Sequence, residues 1–325
     1  MHHADLYRCL KCRGSLTDRT RPDALSCVSC GVDYPIVHNV LDTLTDPSED
    51  VIQELKANAR EQGIPAEEWR SFRVRAVANL ADMQALLKGS AHEPAQYYQQ
   101  VTTNFFDAVE RLGSRPNRRV LEIGSEYDYQ FLEHFRRAGA ECFAVNIRFS
   151  YLEPDAFLDW PEKVLADMND LPFTDATFDT LVLSATSHHS ANLDKTISEI
   201  SRVLNVGGVA LLLNDPLKGW LKWMGGATEP HHGRDEEIHE NEYTIRQYDS
   251  AFRRAGLRPE YLFSAFHDRR LCEMDIHPEM RFARLAKLIG TIWKAPSIRA
   301  FAKRSLLRPG QMIFGFPLNV ILRKA

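Results

Sequence analysis

The chain has 325 residues, of which 44% are hydrophobic and 26% charged, and its formal net charge is −4. This composition is that of an ordinary globular protein with room for two or three folding units, and the weak negative charge argues against a protein that coats nucleic acid. No apolar run reaches the ~18–20 residues that span a bilayer, and the first residues lack a signal-peptide pattern, so we expect a soluble, cytoplasmic chain.

Four cysteines near the start have the spacing of a zinc site. They form two Cys-x-x-Cys pairs separated by fourteen residues and are Cys9, Cys12, Cys27 and Cys30. Two such turns offer four thiolates to one tetrahedral Zn²⁺ and leave no open position, which predicts a structural ion in a zinc ribbon over residues 1–46. We expect this ribbon to have its own core, and positive φ angles at Gly14 and Gly31. Two disulfides or a redox pair are the alternative.

The next segment, residues 47–117, is rich in charged residues and predicts helices over residues 49–62, 67–88 and 94–112. Glycine and proline at residues 63–65 and glycine at residue 89 separate them. The segment shows no obvious chemistry, so we interpret it as a helical linker or cap.

From residue 118 onward, short apolar strands alternate with helices. Strands are predicted over residues 120–124, 142–145, 180–183 and 209–213, and helices over residues 129–138 and 193–204. Such alternation predicts an α/β, Rossmann-like, doubly wound and mostly parallel sheet, with ligands at the carboxyl ends of its strands. We assign this domain to residues 118–277 and expect later strands over residues 261–263 and 318–322, the last one a closing antiparallel edge strand.

Several short motifs in this region have a familiar order. They are Val120 to Gly124, Asp167 to Phe173, Phe178-Asp179, His188-His189, and Ile200 to Leu204 before Gly207-Gly208. With them the chain resembles a class I S-adenosylmethionine (SAM)-dependent methyltransferase of the small-molecule branch, preceded by a zinc-ribbon module. The resemblance covers residues 5–45 and about 118–260.

The resemblance implies roles for individual residues. Glu122 would hold the loop after the first strand or the amine of SAM, and Gly124 would lie in the turn beneath the methionyl part. Asp167 would accept a hydrogen bond from the adenine amino group, and Met168 would pack on the ring. The reaction chamber would be lined from Ser184 onward, with a general base supplied by His188 or His189.

Two departures from the family pattern predict weak SAM binding. The turn that normally reads Gly-x-Gly-x-Gly has Glu126 and Asp128 at its second and third glycine positions. Each adds a Cβ and a negative charge near the carboxylate of SAM, a repulsion of about 1 kcal/mol or more per close pair. Asn146 stands where the family has the acid that takes both ribose hydroxyls, and an amide accepts through one oxygen only.

A histidine-rich insert over about residues 217–243 is expected to form a lid. Its chemistry-bearing side chains are His231, His232, His239, Glu240 and Glu242. With Glu126 and Asp128 across the cleft they could bind Zn²⁺ or Mn²⁺. The alternative is a polar lid from which His231 contacts the acceptor.

The end of the chain, residues 278–325, is a basic element on an acidic body. It carries ten Lys and Arg against one acid, Glu279, and predicts amphipathic helices over residues 281–293 and 296–307. These helices would cap the sheet or form a homodimer face. The alternative is contact with an anionic membrane, which would place the protein at the inner membrane surface and favour a lipid-linked acceptor.

The main functional hypothesis is a SAM-dependent methyltransferase for a small polar acceptor, a sugar or a biosynthetic intermediate. One alternative is a metal-dependent or other non-methyltransferase enzyme that uses Glu126, Asp128 and the lid histidines. Another is a non-catalytic partner or scaffold protein. A ribosomal RNA substrate is disfavoured because basic and acidic residues are nearly balanced in the ribbon.

Overall fold

The computed structural model describes residues 3–18, 23–61, 65–69, 94–113, 115, 117–125, 129–148, 160–220, 241–273 and 291–325. Within these ranges the strands are β1 (Leu16–Thr17), β2 (Ala24–Cys27), β3 (Asp33–Val37), β4 (Val40–Asp42), β5 (Arg119–Ile123), β6 (Glu141–Asn146), β7 (Glu162–Leu165), β8 (Phe178–Ser184), β9 (Leu204–Asp215), β10 (Leu257–Tyr261) and β11 (Leu318–Lys324). The helices are α1 (Glu49–Glu61), α2 (Pro94–Leu112), α3 (Gln130–Arg137), α4 (Leu193–Val203), α5 (Ile245–Arg254), α6 (Ala265–Glu273), α7 (Pro296–Ser305) and α8 (Leu307–Phe314).

The described strands form one sheet in the order β1-β2-β3-β4-β7-β6-β5-β8-β9-β11-β10. From β4 to β9 every neighbouring pair is parallel, whereas β11 is antiparallel to both β9 and β10. The expected mostly parallel α/β sheet is therefore confirmed. The last strand is antiparallel as predicted, but it lies between β9 and β10, so the outermost strand at this side is β10.

Alternating side chains of the central strands feed two hydrophobic clusters, one on each face of the sheet. In β5, for example, Leu121 and Ile123 belong to one cluster and Val120 to the other. The first cluster packs beneath α4 and α5, and the second beneath α1, α2 and α3. Burial on both faces explains why these strands read as continuous apolar runs in the sequence.

The ribbon shares its core with this sheet, so the expectation of separate cores is wrong. Leu25 and Tyr34 of the ribbon lie in the same buried cluster as Leu121 and Phe143 of the central strands. Strand β4 also pairs in parallel with β7, with Val40 opposite Lys163. The hairpin β3–β4 thus extends the parallel sheet instead of forming a detached module.

Other differences are local. Strand β7 had no counterpart in the sequence prediction, and the strand expected at residues 261–263 lies earlier, over β10. At the ribbon turns Gly31 has φ of +71°, as expected, but the second positive φ belongs to Arg13 and not to Gly14. Gly14 is needed for space instead, because a Cβ there would lie 2.6 Å from Oγ of Ser29. No helix among the described residues is both long and apolar enough to cross a membrane.

Candidate functional site

A cavity opens at the carboxyl ends of the central parallel strands. It is lined by residues that follow β5, β6, β7 and β8, together with one face of α1. The lining includes Ile123, Gly124, Val145, Asn146, Arg148, Asp167, Met168, Asn169, Ser184, Ala185, Thr186, His189, Asp50 and Glu54. This is the edge at which parallel α/β sheets bind their ligands.

The turn after β5 is held close to the next strand and to the turn after β8. The amides of Gly124 and Ser125 both donate to the Val145 carbonyl, at 2.9 and 3.1 Å. Gly124 has φ of +75°, and a Cβ on it would lie 2.4 Å from side-chain atoms of Thr186. Ser125 is fully buried, and its Oγ has no hydrogen-bond partner among the described residues. The turn after β5 is therefore tightly packed, and it contains a buried hydroxyl, that of Ser125, that can still form a hydrogen bond.

Asn146, at the end of β6, is already engaged by the backbone. Its Nδ2 donates to the Ser125 carbonyl at 2.9 Å, and its Oδ1 accepts from the Arg148 amide at 3.0 Å. The side chain thus ties the turn after β5 to the turn after β6. Its remaining capacity for a ligand is the second N–H of Nδ2 and one lone pair on Oδ1.

The loop after β7 brings Asp167 and Met168 to the cavity. Oδ1 of Asp167 accepts from the amide and the side-chain nitrogen of Asn169, at 2.8 and 3.0 Å. Burial raises the pKa of Asp167, while these hydrogen bonds from Asn169 lower it in part. Met168 is half-buried and packs against the core cluster.

Helix α1 adds two acids that the sequence prediction did not include in the site. Asp50 and Glu54 are one turn apart on the same face and both line the cavity. Burial raises the pKa of Glu54 to about 7; the nearby Asp167 also raises it, and Arg148 opposes the rise. A charged helix is normally interpreted as solvent-exposed. The only sequence signal that Glu54 is partly buried is the amphipathic pattern of α1, which places it beside Val51 and Leu55.

The two adjacent histidines have different environments. Asp215, at the end of β9, accepts from the amide of His188, and its Oδ1 lies 3.0 Å from Nδ1 of the same residue. Asp215 is fully buried, and its Oδ2 has no hydrogen-bond partner among the described residues. The His189 ring lies 4.1 Å from the His188 ring and lines the cavity.

The structure brings together Gly124, Asn146, Asp167, Met168, Ser184 and His189 in the cavity lining. The Ser184 side chain is held by Asn214 of β9, because its Oγ accepts a hydrogen bond from Nδ2 of Asn214 at 3.1 Å. Glu122 is buried within β5 and is not among the lining residues, which suits a structural role beneath the turn. His188 is buried next to His189 and is not among the lining residues. Glu126, Asp128, His231, His232 and His239 lie outside the described residues.

Comparison with known proteins agrees with this geometry. Residues 121–212, from β5 into β9, match a family model described as a methyltransferase domain. This segment, less than a third of the chain, is therefore similar to a methyltransferase domain. Over 105 residues it is also 29% identical to the sterol 24-C-methyltransferase ERG6B of Gibberella zeae, a match that covers 30% of this chain and 28% of the relative. The chain thus aligns with less than a third of that protein.

The solved structures with a similar backbone fold include chains from two methyltransferase complexes. A chain in the complex of the Haloferax volcanii Trm112 methyltransferase activator with a methyltransferase is 17% identical, with a TM-score of 0.45, over 73% of this chain and 97% of that one. The phosphoethanolamine N-methyltransferase 2 of Haemonchus contortus, in complex with SAM, is 16% identical, with a TM-score of 0.43, over 67% and 51%.

The four ribbon cysteines form a compact group. Their sulfur atoms all lie within 4.8 Å of one another, with 3.6 Å between Cys9 and Cys30 and 3.4 Å between Cys12 and Cys27. Burial opposes ionisation of Cys9, but hydrogen bonds from the Tyr34 hydroxyl and neighbouring amides lower the pKa of its thiol to about 6. Four converging sulfurs, one of them favoured as thiolate, fit a tetrahedral zinc ion.

The ribbon also braces the loop that carries Asp167. Arg13, next to the first cysteine pair, donates to both carboxylate oxygens of Asp170 at 2.6 and 3.1 Å. The Asp170 amide in turn donates to the Asp167 carbonyl at 3.0 Å. Nearby, the Arg8 amide donates to the Pro172 carbonyl at 2.7 Å. The first cysteine turn is thus joined to the cavity wall.

Loss of the cysteine cluster is expected to affect the parallel sheet as well as the ribbon. Purified protein should contain about one zinc per chain. Cys9→Ser should lose this metal, lower the thermal midpoint of the whole domain in one transition, and weaken ligand binding in the cavity, because the ribbon shares the sheet's core and Arg13 holds Asp170. Metal analysis, circular dichroism and calorimetry measure these effects. The control is Cys272→Ser, outside the cluster; a Cys9→Ser domain with an unchanged main transition would contradict the coupling.

The turn after β5 can be tested with two matched glycines. Gly124→Ala and Gly139→Ala both place a side chain at positive φ, a strain of about 1–2 kcal/mol, but only Gly124 has a neighbour within 4 Å of the added Cβ. We expect Gly124→Ala to be the more destabilising in urea unfolding and to weaken SAM binding at least tenfold. Equal effects of the two variants on both readouts would show that the contact with Thr186 is unimportant.

Proposed function

We propose that the protein transfers a methyl group from SAM to a small polar acceptor, a sugar or a biosynthetic intermediate. The observation that carries this proposal is the cavity at the carboxyl edge of β5, β6, β7 and β8, within the segment that matches a methyltransferase domain. Bound SAM would supply an electrophilic methyl group on a sulfonium ion. The chain's own residues would bind it, orient the acceptor and accept a proton.

The residues of the cavity fit this cofactor in kind. A carboxylate at Asp167 can accept a hydrogen bond from the adenine amino group, and Met168 offers an apolar face to the ring. The buried Oγ of Ser125 supplies an unused polar atom beside Gly124. Among the described lining residues, three acids, Asp50, Glu54 and Asp167, stand against one Arg, an excess of acidic groups that favours a cationic ligand over a neutral one.

Glu54 is proposed to bind the ribose hydroxyls. Asn146, at the position where the family's acid is expected, uses its amide to join two turns of the chain. Glu54 reaches the same cavity from α1 and can accept from two hydroxyls once it is ionised. The acid lost at the end of β6 would thus be replaced from a different element.

His188 is proposed as the general base, with Asp215 as the residue that orients it. When Nδ1 donates to Asp215, the basic nitrogen of the ring is Nε2, which can take the proton of an acceptor hydroxyl or amine. The buried carboxylate also stabilises the resulting imidazolium. His189, which lines the cavity, would contact the acceptor.

The four cysteines would hold a structural zinc ion with no part in the chemistry.

Glu54→Gln should weaken SAM binding about tenfold, because the neutral amide removes one charged hydrogen-bond acceptor. Titration calorimetry with SAM and with S-adenosylhomocysteine measures this, with exposed Glu49→Gln on the same helix as control. Wild-type affinity should rise from about pH 6 to about pH 8 as Glu54 ionises, and the Gln variant should lose this dependence. No heat with either ligand in the wild type would refute the SAM proposal, whereas equal binding by wild type and Glu54→Gln would refute only the role of Glu54.

His188→Ala should lower turnover by about two to four orders of magnitude, with SAM affinity unchanged, because it removes the proton acceptor. Asp215→Asn should lower turnover, since the carboxylate that orients the His188 ring is lost. Methyl transfer is followed as S-adenosylhomocysteine release against a panel of sugars and amines. A His188→Ala enzyme with normal turnover, and a His189→Ala enzyme without it, would assign the base to His189.

A further inference from the structure

A group of large apolar side chains is exposed where α8 ends and β11 begins. We call it the apolar rim; it consists of Trp220, Met312, Ile313, Phe314 and Phe316. Trp220 is 59% exposed and Phe314 55%. Clusters of exposed apolar residues in soluble proteins mark interaction surfaces more often than isolated ones do.

The rim has a defined backbone. Gly219 and Gly315 touch so closely that a Cβ on Gly219 would lie 2.2 Å from the Gly315 nitrogen. This contact places Trp220 next to the end of α8, while the Phe314 and Phe316 rings stack with centroids 5.7 Å apart. The side chains are therefore presented outward by a fixed turn.

The segment that leads to the rim is basic. Residues 291–317, up to the start of β11, contain the basic residues Lys294, Arg299, Lys303, Arg304 and Arg308 and no Asp or Glu. Two acids from neighbouring helices meet some of these cations: Asp268 pairs with Lys303 and Asp249 with Arg308. Arg304, Lys294 and Lys218 remain exposed.

The rim lies at the same edge of the sheet as the candidate site. Leu318, the first residue of β11, pairs with Asp215 at the carboxyl end of β9. Asp215 is the residue that binds His188. A surface that docks on the rim would therefore approach the sheet from the side on which the cavity opens.

We propose that the apolar rim and its exposed cations dock the protein on an anionic lipid bilayer. Aromatic side chains favour the membrane interface, and cations beside them add attraction to anionic headgroups. The positive charge of the segment favours such a surface over a neutral apolar partner. As a consequence that rests on the proposed function, an acceptor held in the bilayer would reach the site from the membrane side.

The test is co-sedimentation of the full chain with vesicles of phosphatidylcholine alone or with roughly a third phosphatidylglycerol. We expect binding to the anionic vesicles that falls with salt. The triple variant Trp220→Ser, Phe314→Ser, Phe316→Ser should bind at least tenfold more weakly, and Arg304→Glu several-fold more weakly. Val28→Ser with Val206→Ser, which alter apolar residues exposed elsewhere, and Arg253→Glu are the matched controls and should bind as wild type.

Binding of S-adenosylhomocysteine in solution, measured on the same variants, separates this proposal from the methyltransferase proposal. It should be unchanged in the triple variant, which shows that the fold and cavity are intact. Wild-type protein that binds neither vesicle, or a triple variant that binds like wild type, overturns the docking proposal whatever the calorimetry shows. A dimer in analytical ultracentrifugation that the triple variant abolishes, without vesicle binding by the wild type, would assign the rim to self-association instead.

Discussion

The parallel pairing of β4 with β7 determines how the first part of the chain relates to the rest. The pairing continues beyond the strands, because the amide and the hydroxyl of Thr43 both donate to the Leu165 carbonyl, at 3.0 and 2.6 Å. Since β4 runs parallel to the central strands, its carboxyl end lies at the ligand-binding edge of the sheet. Helix α1 begins only a few residues later, so Asp50 and Glu54 reach the cavity as a direct result of this strand direction.

The same pairing explains how a metal ion bound by the four cysteines would affect the cavity. A ribbon held by four thiolates would normally be a separate unit, too small for a core of its own. Here its apolar residues join the cluster under β5 and β6, and Tyr7 donates to Glu162 of β7 at 2.6 Å. The ribbon and the cavity wall thus share one hydrophobic core, and the free energy of zinc binding at the proposed site would stabilise the loop with Asp167 through Arg13 and Asp170.

The sequence predicted the central part of the fold because its strands are buried on both faces and its helices are strongly periodic. Strand β7 was missed because Glu162 and Lys163 make it look polar; in the fold Lys163 is fully buried, with its Nζ 5.9 Å from the centre of the Tyr129 ring. The cysteine cluster, Asp167, Met168 and the histidines could be found from spacing and resemblance. Glu54, Arg148 and Asp215 could not, because their importance comes from strands and helices that are distant in sequence.

The electrostatics of the cavity also change how the departures from the family pattern are understood. The sequence predicted weaker ribose binding because Asn146 stands in the place of an acid. In the structure α1 brings two acids to the cavity, and the amide of Asn146 makes a structural hydrogen bond that a carboxylate could not make. A carboxylate cannot donate to the Ser125 carbonyl, whereas Nδ2 of Asn146 does. Asn146 thus joins the two turns, while the acids on α1 supply carboxyl groups to the same cavity. An acid at residue 146 alone would break the link between the two turns and add a carboxyl group to a cavity whose described lining already has three acids.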